Sequence, residues 1–173
     1  FWNVQGQNKA LSLFHLASER VPAYKDFLKK NKVRPSSIKS IADFPKIPIT
    51  SKKNYIQKYS TQDRSWEGKL DNSSIMAVSS GTTGKPTLWP RSAANEKEAE
   101  IIHELIYKYI FECHTRNTLM VICFPMGIYI SGIATLLPSI AIAQKKYNIT
   151  TISAGTRKDD VLKLVKEEID DYD

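Results

Sequence analysis

A short polar loop between two apolar segments is the feature that most constrains this chain. The loop, residues 79–87, reads Ser-Ser-Gly-Thr-Thr-Gly-Lys-Pro-Thr, and apolar residues 75–78 and 88–90 flank it. Its two glycines permit positive φ and a close approach of the backbone to a ligand. Its hydroxyls, backbone N–H groups and lysine supply hydrogen-bond donors for phosphate. The pattern predicts a strand, a phosphate-binding turn and a second extended segment.

The spacing within the loop excludes two common nucleotide-binding motifs. A P-loop needs four residues between its first glycine and its Gly-Lys pair, followed by Ser or Thr. Here only two residues separate Gly81 from Gly84, and Pro86 follows Lys85. The dinucleotide fingerprint fails because Ser79, and not glycine, stands two residues before Gly81. Two alternatives stay open: a Gly-x-x-Gly clamp on a nucleic-acid backbone, although its flanks here look extended, and a hairpin turn without a ligand.

Residues 79–86 resemble the signature loop of adenylate-forming enzymes, a superfamily of acyl-CoA synthetases, firefly-type luciferases and peptide-synthetase adenylation domains. Many members carry Lys after the proline, whereas this chain has Thr87, as in enzymes similar to phenylacetate–CoA ligase. Residues 21–24 and 46–52 also resemble the amino-terminal segment of those ligases. The resemblance implies that a carboxylic acid attacks ATP to form an acyl-adenylate, and that CoA then takes the acyl group. An acyl-transfer relative that loads a protein thiol has the same pattern.

The resemblance also implies roles for individual residues. The loop would hold the β- and γ-phosphates while pyrophosphate leaves in line, with Thr83 and Lys85 as catalytic residues. Residues 124–129 correspond to a region that lines the acyl pocket, although the histidine often found there is missing. Core packing is the alternative for Phe124 and Met126. The implied ATP-binding residues are Ser79, Ser80, Gly81, Thr82, Thr83, Gly84 and Lys85, and the implied acid-binding residues are Phe124, Met126 and Tyr129.

Several parts of the family pattern have no counterpart in these 173 residues. They are the Tyr-Gly-x-Thr-Glu segment, the hinge acidic residue, the ribose-binding aspartate and the carboxy-terminal catalytic lysine. We therefore expect the ligands of Mg²⁺ to lie outside this chain, and we predict no metal site within it. Because both ends of the sequence look cut, we expect a fragment that is inactive by itself.

The charge of the chain is unevenly distributed. The net charge is +7, but residues 1–70 hold fourteen Lys or Arg and five Asp or Glu, against eleven and thirteen in residues 71–173. The basic segment would attract polyanions such as ATP, CoA or nucleic acid, or an anionic membrane; solvated surface lysines are the simpler explanation. As partners we predict a small carboxylic acid, the rest of the same polypeptide and a possible homodimer, with no nucleic acid. Two cysteines without metal-binding spacing fit a reducing cytoplasm.

Hydrophobic periodicity predicts an α/β fold in two parts. Residues 1–70 form a mainly helical, basic segment, and residues 71–173 form the first part of an incomplete nucleotide-binding domain with a largely parallel sheet. After the loop we expect helices at about 93–113, 130–143 and 157–169, alternating with strands at 119–124 and 148–153. Ser92 and Thr156 are the expected caps of the first and last of these helices.

The second part contains a helix with an apolar stripe and a long uncharged run. The helix over 93–113 is predicted to bury one apolar stripe, formed by Ile102, Leu105, Ile106, Tyr109, Ile110 and Cys113. The uncharged run 117–144 is long enough to span a membrane. Its Pro-Met-Gly sequence at 125–127 divides it into a strand and a helix, so we predict no membrane span.

Overall fold

The structure is a computed structural model that describes residues 2–71, 73–79 and 86–173. Of Trp2 it describes the backbone only. The chain divides into two compact units, Phe1–Asn72 and Ser73–Asp173. Within the described ranges no helix is long and apolar enough to cross a membrane.

The first unit is helical. Helix α1 (Trp2–Arg20) is followed by α2 (Pro22–Lys30), with Pro22 at a helix start where its missing N–H costs no hydrogen bond. Phe14, Leu28 and Ile38 form the centre of the core. Short helical turns complete the unit at Pro35–Ser37, Ile41–Lys46, Lys52–Ile56 and Trp66–Gly68. Ser51 caps the third of these turns, because its Oγ accepts a hydrogen bond from the Asn54 N–H at 3.1 Å.

The second unit alternates strands and helices. Strands β1 (Ser73–Ser79) and β2 (Thr87–Ser92) form an antiparallel hairpin, while β3 (Thr118–Val121) and β4 (Ile149–Ile152) pair in parallel. Three helices separate or follow the strands: α3 (Ala93–Tyr109), α4 (Ile130–Ala143) and α5 (Lys158–Glu168). The predicted order of elements after the loop and the α/β fold class are both confirmed. The Ser92 cap is also confirmed, since its Oγ accepts from the Asn95 N–H at 3.3 Å.

Helices α3 and α4 are joined by a buried hydrogen-bond chain. The Tyr107 and Ser139 hydroxyls lie 2.7 Å apart, and both residues are almost fully buried. Ser139 donates its single hydroxyl proton to the Thr135 carbonyl at 2.7 Å, so Tyr107 must be the donor to Ser139. Cys113, Ile142 and Ile149 complete the buried cluster around Tyr107. A polar group therefore sets how α3 lies on α4.

A second polar link joins α3 to the end of α4. Lys145 Nζ lies 2.5 Å from a carboxylate oxygen of both Glu100 and Glu104, and Tyr147 donates to Glu104 at 3.1 Å. The Lys145 ammonium is the main cause that lowers the pKa of both carboxyls, and the two carboxylates raise the pKa of Lys145. Lys97 adds a second cation to Glu100 at 2.9 Å.

The predicted buried stripe of α3 is wrong. Ile102, Leu105 and Tyr109 are each more than half exposed, and the helix buries Glu100 and Tyr107 instead. Ile110, also exposed, lies just past the end of the helix, whereas Cys113 is buried as predicted and Ile106 packs against the core. The apolar side chains by themselves do not set the rotation of this helix, because its polar partners on and after α4 fix which side faces inward.

The predicted cap of α5 is also wrong. Helix α5 begins at Lys158, and its cap position is Arg157, which makes no side-chain capping bond. The preceding turn contains Gly155 at φ +70°, a conformation that favours glycine. The turn is therefore one residue longer than the Thr156 cap would require.

The two carboxylates on Lys145 predict an acid-sensitive link between α3 and α4. Because their pKa values are lowered in the folded state, the stabilisation is present above the ordinary carboxyl pKa and is lost as the pH falls through the lowered values. We expect Lys145→Met to reduce the free energy of unfolding at pH 7, and the difference from the unmodified chain to shrink as the solution is acidified. Urea unfolding between pH 7 and pH 3 measures this. Lys146→Met is the matched control, because Lys146 forms no ion pair with a described residue; an equal effect of both variants would contradict the prediction.

Candidate functional site

The hairpin β1–β2 presents the polar loop. Ser79 is the last residue of β1 and pairs with Thr87, the first residue of β2, so the two strands close the loop at its base. Thr87 is buried there. The predicted extended flanks on both sides of the loop are confirmed. Of the predicted ATP-binding residues, Ser79 lies at the end of a strand, and Ser80, Gly81, Thr82, Thr83, Gly84 and Lys85 lie outside the described residues.

A second turn, residues 124–129, connects the end of β3 to the start of α4. It contains Gly127 at φ +76°, where a side chain would strain the backbone. Phe124 and Tyr129 are 48% and 37% exposed, so neither is a core residue, and Met126 is half-buried. The turn thus offers accessible apolar and aromatic surface at the end of a parallel strand. Whether its three predicted residues bind an acid stays a prediction.

The loop strand and this turn are hydrogen-bonded to one another. The Val78 N–H donates to the Ile128 carbonyl at 2.8 Å, and Val78 and Tyr129 form an isolated parallel bridge. Val78 directly precedes Ser79, and Tyr129 directly precedes α4. One backbone contact therefore places the base of the polar loop beside the turn that carries the candidate acid-binding residues.

Gly132 holds the turn against α4. A Cβ atom at this position would lie 2.6 Å from the carbonyl oxygen of Pro125 and 2.5 Å from the Met126 sulfur. Only glycine permits so close an approach of the helix to a backbone carbonyl. The sequence-based prediction did not include this residue. The sequence signal that could have found it is a glycine inside an apolar helix, because glycine destabilises a helix and its presence there suggests a packing reason.

The second strand of the parallel pair, β4, is followed by a turn at the same carboxyl edge. The Gly155 N–H donates to the Ile122 carbonyl at 3.2 Å, and the Ile122 N–H donates to the Ile152 carbonyl at 2.8 Å. Gly155 thus ties the end of β4 to the end of β3, which is a structural role. Among the residues that the structure describes, no cluster of three or more His, Cys, Asp or Glu side chains is arranged to hold a metal ion.

Comparison with known proteins finds similarity in structure only. No family model matches the chain, and no curated protein sequence matches it. A structure of 2-hydroxyisobutyryl-CoA ligase in complex with 2-HIB-AMP and CoA aligns with 95% of this chain and 35% of that chain, with a TM-score of 0.69 and 17% identity. The chain has the fold of the matching part of this CoA ligase.

Two further structures of the same ligase match this chain to a similar extent. An open conformation with 2-HIB-AMP and CoA aligns over 92% of this chain and 34% of that chain, with a TM-score of 0.67 and 16% identity. The postadenylation state with 2-HIB-AMP aligns over 91% and 32%, with a TM-score of 0.66 and 16% identity. The chain therefore spans about a third of the length of these ligases. Both the basic helical unit and the α/β unit fall within the matched part.

The close packing at Gly132 predicts that Gly132→Ala displaces the turn at 124–129. The added methyl meets a backbone carbonyl that cannot rotate away, so we expect a loss of about 1–3 kcal/mol in the free energy of unfolding. Faster amide hydrogen exchange at Val78 should accompany it, because the displaced turn carries the Ile128 carbonyl. Gly6→Ala is the matched control, because Gly6 lies in α1 and a Cβ atom there would have no neighbour within 4 Å. Unchanged exchange at Val78 in Gly132→Ala would show that the turn does not depend on this contact.

Proposed function

We propose that this chain is part of an ATP-dependent carboxylate–CoA ligase of the phenylacetate–CoA ligase type. Such an enzyme activates a carboxylic acid as an acyl-adenylate and then transfers the acyl group to CoA. The observation that carries the proposal is the hydrogen bond from the Val78 N–H to the Ile128 carbonyl. It joins the strand that leads into the proposed phosphate-binding loop to the candidate acid-binding turn. The similarity in fold to a CoA ligase supports the same conclusion.

The reaction explains why these two segments would be neighbours. The carboxylate must attack the α-phosphorus of ATP while pyrophosphate leaves from the opposite side. A group that grips the β- and γ-phosphates must therefore lie within one nucleotide's length of the acid. Ligands of parallel α/β sheets bind beyond the carboxyl ends of the strands. Residues 124–129 follow such an end, and Val78 brings the loop to it.

We assign phosphate binding to the loop and acid binding to the turn at residues 124–129. The backbone N–H groups and hydroxyls of residues 79–84 bind the β- and γ-phosphates, with Thr83 and Lys85 stabilising the charge that develops on pyrophosphate. Lys85 acts as a mobile point charge. Phe124, Met126 and Tyr129 form the apolar wall against which the acid packs. The exposure of Phe124 and Tyr129 supports that role over core packing.

The acceptor and the cofactors are part of the proposal. CoA is favoured over a protein thiol because two of the matched ligase structures contain CoA. Mg²⁺ would be held by acidic residues elsewhere in the enzyme. The flanking strands β1 and β2 favour an adenylating loop over a nucleic-acid clamp, because the Gly-x-x-Gly turn of KH domains joins helices.

More protein than these 173 residues is required for the proposed activity. The apolar stripe of α3, formed by Ile102, Leu105 and Tyr109, is exposed. Contiguous apolar surface of this kind marks a contact site. We propose that the rest of the same polypeptide packs there and supplies the magnesium ligands and the remaining catalytic groups.

Substitutions in the loop test the assignment of phosphate binding. In the complete enzyme we expect Lys85→Ala and Thr83→Ala each to slow acyl-adenylate formation about a hundredfold, the cost of removing one donor to developing charge. Acid binding should be nearly unchanged. Pre-steady-state release of pyrophosphate measures the rate, and Lys69→Ala, an exposed lysine outside the loop, is the control. Normal adenylation in both variants would reduce the loop to a structural turn.

The isolated chain provides a second test. We expect the purified 173-residue chain to show no acid-dependent ATP–pyrophosphate exchange with a panel of aryl and fatty acids, since a phosphate grip alone does not position the attacking carboxylate. A variant lacking residues 80–85 gives the background. Exchange well above that background would mean that the catalytic groups lie within these 173 residues.

A further inference from the structure

The first unit contains a cavity of about 650 Å³ that the proposed reaction does not use. This volume falls within the range of about 300–1,000 Å³ that is typical of small-molecule sites. One wall comes from α1, with Leu13 and Phe14, and another from the segment that contains Ile47 and Ile49. All the lining residues belong to this unit.

Part of the apolar lining of the cavity is accessible to solvent. Leu13 is 58% and Ile49 is 87% exposed, whereas Phe14 at the centre of the core is buried. A concave apolar surface in contact with water favours an apolar ligand, because binding removes that surface from water. The aliphatic and aromatic character of the lining fits a hydrocarbon or aryl group.

A small set of polar residues lines the same cavity. They are Thr50, Tyr24 and Tyr55, which carry hydroxyls, and Arg64, which carries a guanidinium. Arg64 is held by hydrogen bonds from Nε to the Tyr59 carbonyl at 3.3 Å and from Nη2 to Thr61 Oγ1 at 3.2 Å. Burial raises the pKa of Tyr55 to about 12, so its hydroxyl keeps its proton well above neutral pH.

The charge of the cavity favours an anion. Arg64 is a permanent cation, and none of the described lining residues is Asp or Glu. The unit as a whole adds to this potential, since residues 1–70 hold fourteen basic and five acidic side chains. An apolar surface beside a fixed cation and hydroxyl donors is complementary to a ligand with an apolar body and an anionic head.

We propose that this cavity is a binding site for a small amphipathic carboxylate. The hydrocarbon or aryl body packs on Leu13, Phe14 and Ile49, and the carboxylate faces Arg64 and Tyr55. The proposal goes beyond the adenylation function, because the site uses no residue of the loop at 79–87 or of the turn at 124–129.

Three ligands of equal chain length test the head group without altering the protein. In calorimetric titrations of the 173-residue chain without ATP, octanoate should bind at a single saturable site. Octanol should bind at least about fivefold more weakly, because it lacks the charge that strengthens a hydrogen bond to Arg64. Octyltrimethylammonium should not bind. Equal affinities for octanoate and octanol would overturn the proposal.

Two variants of α1 test the location. Leu13→Gln removes an exposed lining residue and should weaken octanoate binding about tenfold, as expected for the loss of one apolar contact surface. Val4→Gln is the matched control, because Val4 is an equally exposed residue of α1 that does not line the cavity. Unchanged affinity in Leu13→Gln would place the ligand elsewhere.

A variant of the candidate acid-binding turn separates this proposal from the proposed function. Phe124→Gln should bind octanoate as tightly as the unmodified chain, because Phe124 does not line the cavity. Loss of octanoate binding in Phe124→Gln, with Leu13→Gln unaffected, would assign the carboxylate to the turn at 124–129 and overturn the cavity site. Normal adenylation by the loop variants of the complete enzyme would overturn the function and leave the cavity site standing.

Discussion

The buried hydrogen bond from Tyr107 to Ser139 is the contact on which the second unit depends. It fixes how α3 lies against α4, and Lys145 reinforces that position through two carboxylates of α3. The first turn of helix α4 contains Gly132, which lies against the turn at residues 124–129. That turn holds β1 through the Ile128 carbonyl. The base of the polar loop is therefore positioned by a series of contacts that begins in the buried cluster between two helices.

Local sequence signals predicted most elements of this unit. The strands on both sides of the loop, the Ser92 cap and the alternation of helices and strands follow from periodicity and capping chemistry, which act over a few residues. The rotation of α3 could not be predicted in this way. Its inward face is decided by Ser139 and Tyr147, which lie 32 residues from Tyr107 and 43 residues from Glu104. A helix with apolar residues on more than one side needs such distant partners to choose among its faces.

For the candidate site too, local sequence predicted the residue types, whereas the contacts between distant residues could not be predicted. The phosphate-binding chemistry proposed for the loop was predicted from its residue types, because glycines, hydroxyls and a lysine in that order supply donors for phosphate. That the turn at residues 124–129 lies beside the loop could not be predicted from local sequence, since the Val78–Ile128 hydrogen bond joins residues fifty positions apart in the chain. The need for glycine at position 132 could not be predicted either, because it comes from the nearby Pro125 carbonyl and not from the backbone conformation of Gly132 itself. A fold of this kind hosts many activities, so the functional argument depends on these particular contacts.

The close approach at Gly132 divides the turn into a part that protein engineering can vary and a part that it cannot. Phe124 and Tyr129 extend into solvent, so a library at these two positions changes the shape and polarity of the surface without repacking a core. A side chain at position 132 would lie 2.6 Å from the Pro125 carbonyl oxygen and displace it, so this position stays glycine. A redesign of the proposed acid-binding surface would therefore keep the backbone between Pro125 and Gly132 constant. It would draw its diversity from the two aromatic positions at the edges of the turn.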